Sequence, residues 1–220
     1  MRLNKHEFKK WIKWCELIKD DLQKIVDYKQ IYLRFEEIVN HNFEHVKKNN
    51  GILFCDFVRE SFIVNAAVCI RRHRKIDNSI SLMKLLNQIE KCSNQFTYDF
   101  YLQIYPKENN EYGWQEITFN NFSDDNHIIS EKKIHHDMLE LDQISKTVSD
   151  FVDIRIAHLD RKNQINKPTY GDVYDALDLL NEIACKYFTL ITSNGYSTLA
   201  PSILYDWEKV FREPFNISNE

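Results

Sequence analysis

The chain has 220 residues, 43% hydrophobic and 28% charged, with 4 Gly and 4 Pro; this is the composition of a folded globular protein, and so few turn formers favour long helices over many short strands. A net charge of −4 argues against a histone-like or general DNA binder but leaves room for a local basic patch. Cys15, Cys55, Cys69, Cys92 and Cys185 are odd in number, form no Cys-x-x-Cys pair and fall in apolar helical contexts, so free buried thiols in a reducing cytoplasm are expected.

The first residues lack the apolar core of a signal peptide. The longest apolar stretch, Phe62 to Ile70, is broken by Asn65 and is far shorter than the roughly 20 residues a membrane span needs, so no membrane partner is expected. From about His6 to Phe43 apolar residues recur at helical spacing, through Phe8, Trp11, Cys15, Ile18, Leu22 and Ile25. The pattern predicts one long helix or two joined by a kink. Lys47 to Gly51 reads as a turn. Ile52 to Arg72 is apolar almost all round, which predicts the central buried helix.

Arg71-Arg72-His73-Arg74-Lys75 ends that helix. Cations there complement the carbonyl end of the helix dipole; alternatively Arg71, Arg72 and Arg74 form a phosphate- or RNA-binding patch. Asp77 or Asn78 is placed to cap the next helix, which buries Leu82, Leu85, Leu86 and Ile89. Residues 96–104 fit strand alternation and helical spacing equally. Residues 106–130, rich in Asn, Asp and Glu, read as an insertion with Trp114, Phe119 and Phe122 as anchors and room for a short hairpin.

Helix resumes from about Glu131 to Arg161. Thr169 with Asp172 resembles a capping box for a last long helix, Tyr170 to Ser193, with Gly195 as its left-handed stop. Residues 200–220 form a tail that packs back on the bundle. The sequence therefore predicts an all-α antiparallel helical bundle in a single domain over 1–220.

Within the late helix, Asp153-Ile154-Arg155-Ile156-Ala157-His158-Leu159-Asp160-Arg161 departs from the hydrophobic pattern. Counting 100° per residue from Leu141, Arg155 falls near the middle of the apolar face formed by Ile144, Val148, Phe151, Val152 and Leu159, and His158 falls at its edge. A core-facing arginine needs a carboxylate, a phosphate or a polar cavity. Arg155, His158 and Arg161 make a slanted row in which an imidazole of near-neutral pKa moves protons and two cations hold phosphate. The structural alternative pairs Arg155 with Glu60 or Asp56 of the central helix.

His41 and His45 have metal-pair spacing but no third ligand, and His135-His136-Asp137 is weaker still. Tyr98, Tyr101 and Tyr105 fit core packing better than base stacking. No Gly-rich phosphate loop, Ser nucleophile or carboxylate pair stands out, so neither metal nor cofactor is expected.

Three segments carry a family resemblance: Arg71 through Leu86, Asp153 through Asp160, and Thr169-Tyr-Gly-Asp172 through Tyr205-Asp-Trp-Glu-Lys-Val-Phe-Arg212. Together, in this order, they resemble the HEPN superfamily and within it the AbiU-like abortive-infection proteins. The resemblance implies a helical bundle, a homodimer, and a metal-independent endoribonuclease in phage defence or toxin–antitoxin systems, with RNA as substrate and a cognate antitoxin or nucleotidyltransferase as partner. In the family's active members an Arg and a following polar residue precede a catalytic His. Here His158 matches the His and Asp153 the polar residue, while Val152 stands where the Arg is expected. The resemblance thus implies His158 and Arg155 as catalytic residues supported by Asp153, Asp160, Arg161 and Glu60, and restoring Arg at Val152 is expected to raise activity. The alternative is a non-catalytic helical dimer that binds a partner or nucleotide.

Overall fold

A single helix, α1 (Lys5–His41), spans 37 residues. Asn4 caps it, its Oδ1 accepting the backbone N–H groups of His6 and Glu7 at 2.9 and 3.0 Å. Phe8, Trp11, Cys15, Ile18, Leu22, Ile25, Tyr32, Phe35 and Val39 are buried along one seam. Lys29 completes that seam between Ile25 and Tyr32: its ammonium donates to Asp178 Oδ1 at 2.6 Å and to the Tyr174 carbonyl at 3.2 Å. The polar position is satisfied, and the helix runs through it uninterrupted.

The computed structural model describes residues 2–77, 79–106, 113–124, 127–156, 166–200 and 206–212, and for Arg155 and Ile156 only the backbone. After the short α2 (Phe43–Lys48), α3 (Ile52–Arg74) returns antiparallel to α1. Arg59 meets Glu36 at 3.1 Å, Phe62 stacks on Tyr32 with ring centroids 4.4 Å apart, and His73 meets Asp21 at 3.0 Å. The expectation that this helix is buried all round is corrected. One face, carrying Cys55, Phe62, Ala66, Ala67, Cys69, Ile70 and His73, is buried, while Leu53, Phe54, Phe57 and Val64 are exposed.

The following helix, α4 (Leu82–Lys91), is capped by Ser81, which accepts from Lys84 N at 3.1 Å, and not by Asp77; Asn78 lies outside the described residues. Asp77 instead closes a turn onto the Ser79 backbone at 2.8 Å. The ambiguous 96–104 stretch is helical: α5 (Tyr98–Ile104) starts at Thr97, whose hydroxyl accepts from Phe100 N. Within 106–130 the chain forms α6 (Trp114–Asn120) and two isolated antiparallel bridges, Thr97 to Ile128 and Ser123 to Ile129. Phe119 and Phe122 are buried anchors there, as expected.

The α-helical part of the next element, α7 (Glu131–Phe151), ends earlier than its periodicity suggests and widens into a π-turn over Val152–Ile156. The last long helix, α8 (Tyr170–Thr192), begins with the Thr169–Asp172 capping box and buries eleven residues. It stops at Ser193, in the left-handed region at φ 61°, rather than at Gly195. A 3-10 turn, Trp207–Phe211, lies on α1, with Glu208 2.9 Å from Arg34 and Phe211 against Phe35.

The molecule is thus an all-α bundle, with no strand among the described residues. The helices α1, α3, α7 and α8 pack on one another; α4 lies on α7, and α6 on α5 and α8. The buried apolar side chains form one contiguous core. No described helix is long and apolar enough to cross a membrane.

Candidate functional site

The π-turn is the entry to the segment that the sequence marks out. A π-turn closes hydrogen bonds one residue wider than an α-helix and is enriched at functional positions. It also ends the 100° count from which Arg155 was placed on the core face. Val152 still points inward, only 2% exposed. One residue on, Asp153 is half-buried at the surface. Its carboxylate accepts the Nε–H of Arg71 and lies 3.4 Å from Lys75 Nζ. Burial opposes ionisation of Asp153, but the hydrogen bond from Arg71 and the charges of Arg71 and Lys75 outweigh it and hold the pKa below the usual carboxylate range.

Of the residues named from sequence, Arg71 and Asp153 are therefore brought together, with Lys75 beside them. Arg71 uses one edge of its guanidinium; its two Nη nitrogens have no partner among the described residues. A guanidinium oriented in this way presents two parallel donors to an anion. The other cations of the run are committed elsewhere. Arg72 pairs with Asp21. Arg74 pairs with Asp142 at 2.8 Å and lies 3.9 Å from Asp150. Glu60 sits apart on the exposed face of α3, with no ion pair among the described residues, and Asp56 pairs with Arg59 at 2.7 Å. His158, Asp160 and Arg161 lie outside the described residues, as does the side chain of Arg155.

Beneath Arg72 is a cluster the sequence did not reveal. Asp21, Cys69 and His73 bring one ligand-type atom each within 4.8 Å of one another. Its chemistry is that of a polar pin. The backbone N–H of Leu82 donates to His73 Nδ1 at 3.3 Å, so in the neutral ring Nε2 carries the proton and donates to Asp21 at 3.0 Å. That leaves Nε2 no lone pair for a metal. Burial pushes the Cys69 thiol up to about 12, and a thiol held protonated is a poor metal ligand or nucleophile. The pin ties α1 to the end of α3 and the start of α4. Its partners lie some fifty residues apart in sequence, so no local spacing signals it.

The pin makes stability acid-sensitive. Hydrogen bonds from His73 and Arg72 hold Asp21 down at about 2, from a reference of 3.8. A depressed carboxylate contributes stability above its unfolded pKa and loses it as pH falls through the folded one. Asp21→Asn is expected to cost about 1–2 kcal/mol at pH 6, discounted for partial solvent exposure, and the difference from wild type to shrink between pH 4 and 2. Urea titrations across that window measure it. A constant difference at every pH would remove Asp21 as the titrating group.

No protein-family model matches the chain, and neither a curated protein nor a solved structure matches it.

Proposed function

We propose that the protein is a HEPN-type RNA-acting module of phage-defence or toxin–antitoxin systems, a metal-independent endoribonuclease with His158 as acid–base residue and Arg155 as phosphate contact. The observation that supports this reading is the gathering of Arg71 and Lys75 at Asp153, the polar residue of the motif. It puts two cations at the entry to the segment that carries Arg155 and His158. Cleavage requires removal of a 2′-hydroxyl proton, protonation of the leaving 5′-oxygen, and positive charge on the phosphorane-like transition state. His158 supplies the proton transfers. Arg155 supplies charge from within the motif, Arg71 and Lys75 supply it from α3, and Arg161 adds to it. Asp160 and Glu60 have supporting roles only through the resemblance. The expected partners are RNA, a second copy of the chain with the Arg155–His158 segment near the interface, and a cognate antitoxin or nucleotidyltransferase.

A second reading, a non-catalytic binding module, is favoured by Val152: the position where the family's Arg is expected is a core position here.

The test is cleavage and binding of labelled single-stranded and structured RNA in EDTA. Wild type is expected to cleave, and His158→Ala to bind without cleaving. Arg71→Gln is expected to weaken binding at least about tenfold, the scale of one lost charge-assisted phosphate contact. Arg72→Gln, whose guanidinium is held by Asp21, is expected to change binding little. Binding without cleavage by wild type would support the second reading. No binding at all would end both RNA readings.

A further inference from the structure

Toward the start of α3, away from Arg71, the bundle leaves an apolar groove between α1 and α3. Its first section, about 570 Å³, is lined by Tyr28, Phe35, Phe54, Phe62, Trp207 and Phe211 among others. A second section of about 460 Å³ adjoins it, and Phe35, Phe54 and Phe211 border both. From Tyr28 to Asn42 the groove follows α1 for about 20 Å, at roughly 1.5 Å per residue. Its two ends differ. Near Tyr28 the polar lining is limited to Ser61 and Asn65 beside the tyrosine rings. The far end is lined by Asn42, His45 and Asn49. The helix that supplies His45, α2, also carries Lys47 and Lys48, which are exposed and make no ion pair among the described residues. The first turn of α3 opens at the same corner without a side-chain cap, so the positive end of its dipole adds to the lysine charges.

We infer that the groove binds one long-chain fatty acid, its hydrocarbon tail between α1 and α3 and its carboxylate at the α2–α3 corner. The inference does not rest on the ribonuclease reading. At about 1.3 Å per carbon, which follows from the C–C bond length, an extended acid of about sixteen carbons matches the length of the groove. The charges that flank the groove are already paired with one another, Arg34 with Glu37 and Glu208, and Arg59 with Asp56 and Glu36. Unpaired positive charge is therefore gathered at one end. That distribution fits a ligand with an apolar body and a single terminal anion. A partner helix would bring polar flanks that need matching groups along both rims.

Equilibrium dialysis of labelled palmitate, below its micellar concentration, against the delipidated full-length chain tests this. One palmitate per chain is expected to bind at micromolar concentration. Removing two carbons from the acid is expected to weaken binding about tenfold, the worth of two buried methylenes. Methyl palmitate is expected to bind at least about tenfold more weakly than the acid, and His45→Glu/Lys48→Glu to weaken the acid but not the ester. Phe54→Ser, exposed and bordering both sections, and Ser61→Trp, which fills the groove, are each expected to weaken palmitate about tenfold or more with an unchanged helical spectrum. Leu53→Ser, on the neighbouring exposed surface outside the groove, is expected to leave binding unchanged. No saturable binding up to about 20 µM palmitate, or binding that neither Phe54→Ser nor Ser61→Trp weakens, would overturn the inference. Equal affinity for acid and ester would overturn the placement of the carboxylate. Sedimentation of the chain with phosphatidylglycerol vesicles, undiminished by palmitate, would assign the groove to a membrane surface and overturn the free acid as its occupant.

Discussion

Val152→Arg is expected to destabilise the protein by roughly 3–5 kcal/mol, the scale of an uncompensated buried charge, and not to activate it. The family pattern invites the opposite result, because an Arg at this position would complete the motif. The structure gives the reason for the reversal. Val152 is the first residue of the π-turn, closes the buried row that runs from Ile134 through Leu141 and Val148, and is almost wholly enclosed. A guanidinium there displaces core packing and loses its hydration. Thermal or urea unfolding of the variant measures the cost. A variant as stable as wild type with faster RNA cleavage would show that the turn reopens the position to the motif chemistry.

Asp137→Ala is expected to cost about 3 kcal/mol, the second large effect. Asp137 is buried on α7; its Oδ2 accepts from Lys186 Nζ at 2.6 Å and from Tyr187 OH at 2.7 Å, both on α8. Truncation strands a buried phenol and one ammonium, and a stranded buried donor carries most of its desolvation penalty. Lys186 is partly open to water, which limits the loss. Asp137→Asn keeps an acceptor and is expected to lose about half as much. Glu140→Ala, one turn further along the exposed side of α7, serves as the control and is expected to change stability by less than ~0.5 kcal/mol. Equal unfolding midpoints for Asp137→Ala and wild type would show that the α7–α8 contact does not depend on this network.

The bundle was legible in the sequence because its helices obey local rules. The seam from Phe8 to Val39 repeats at three- and four-residue steps, and Thr169 with Asp172 announces the start of α8 by a spacing that is itself the cap. Failures occurred where a local pattern was ambiguous in kind. The apolar-all-round character of α3 fits a buried helix and equally a helix with a second, outward apolar face; periodicity has no term to separate them. The cap of α4 is Ser81 because Asp77 and Asn78, which offer the same capping chemistry, come a few residues too early for the helix that forms. The candidate site was legible only as a stretch of chain. Asp153 and Arg71 were both named, but their pairing across α3 and the π-turn is a long-range contact. The commitment of Arg72 to Asp21 and of Arg74 to Asp142 depends on acids that carry no motif. A run of five basic residues looks uniform in sequence; the fold sends Arg71 and Lys75 to Asp153, Arg72 and His73 to Asp21, and Arg74 to Asp142.

The five cysteines, each buried and free, have a practical consequence. They are distributed through the molecule: Cys15 on α1, Cys55 and Cys69 on α3, Cys92 just after α4 and Cys185 on α8. A thiol sealed in packing reacts with an aqueous alkylating agent only when its own surroundings open. The protein therefore carries its own clock for internal motion, written without labels or substitutions. The order in which the five positions are modified under native conditions reads out which parts of the bundle loosen first.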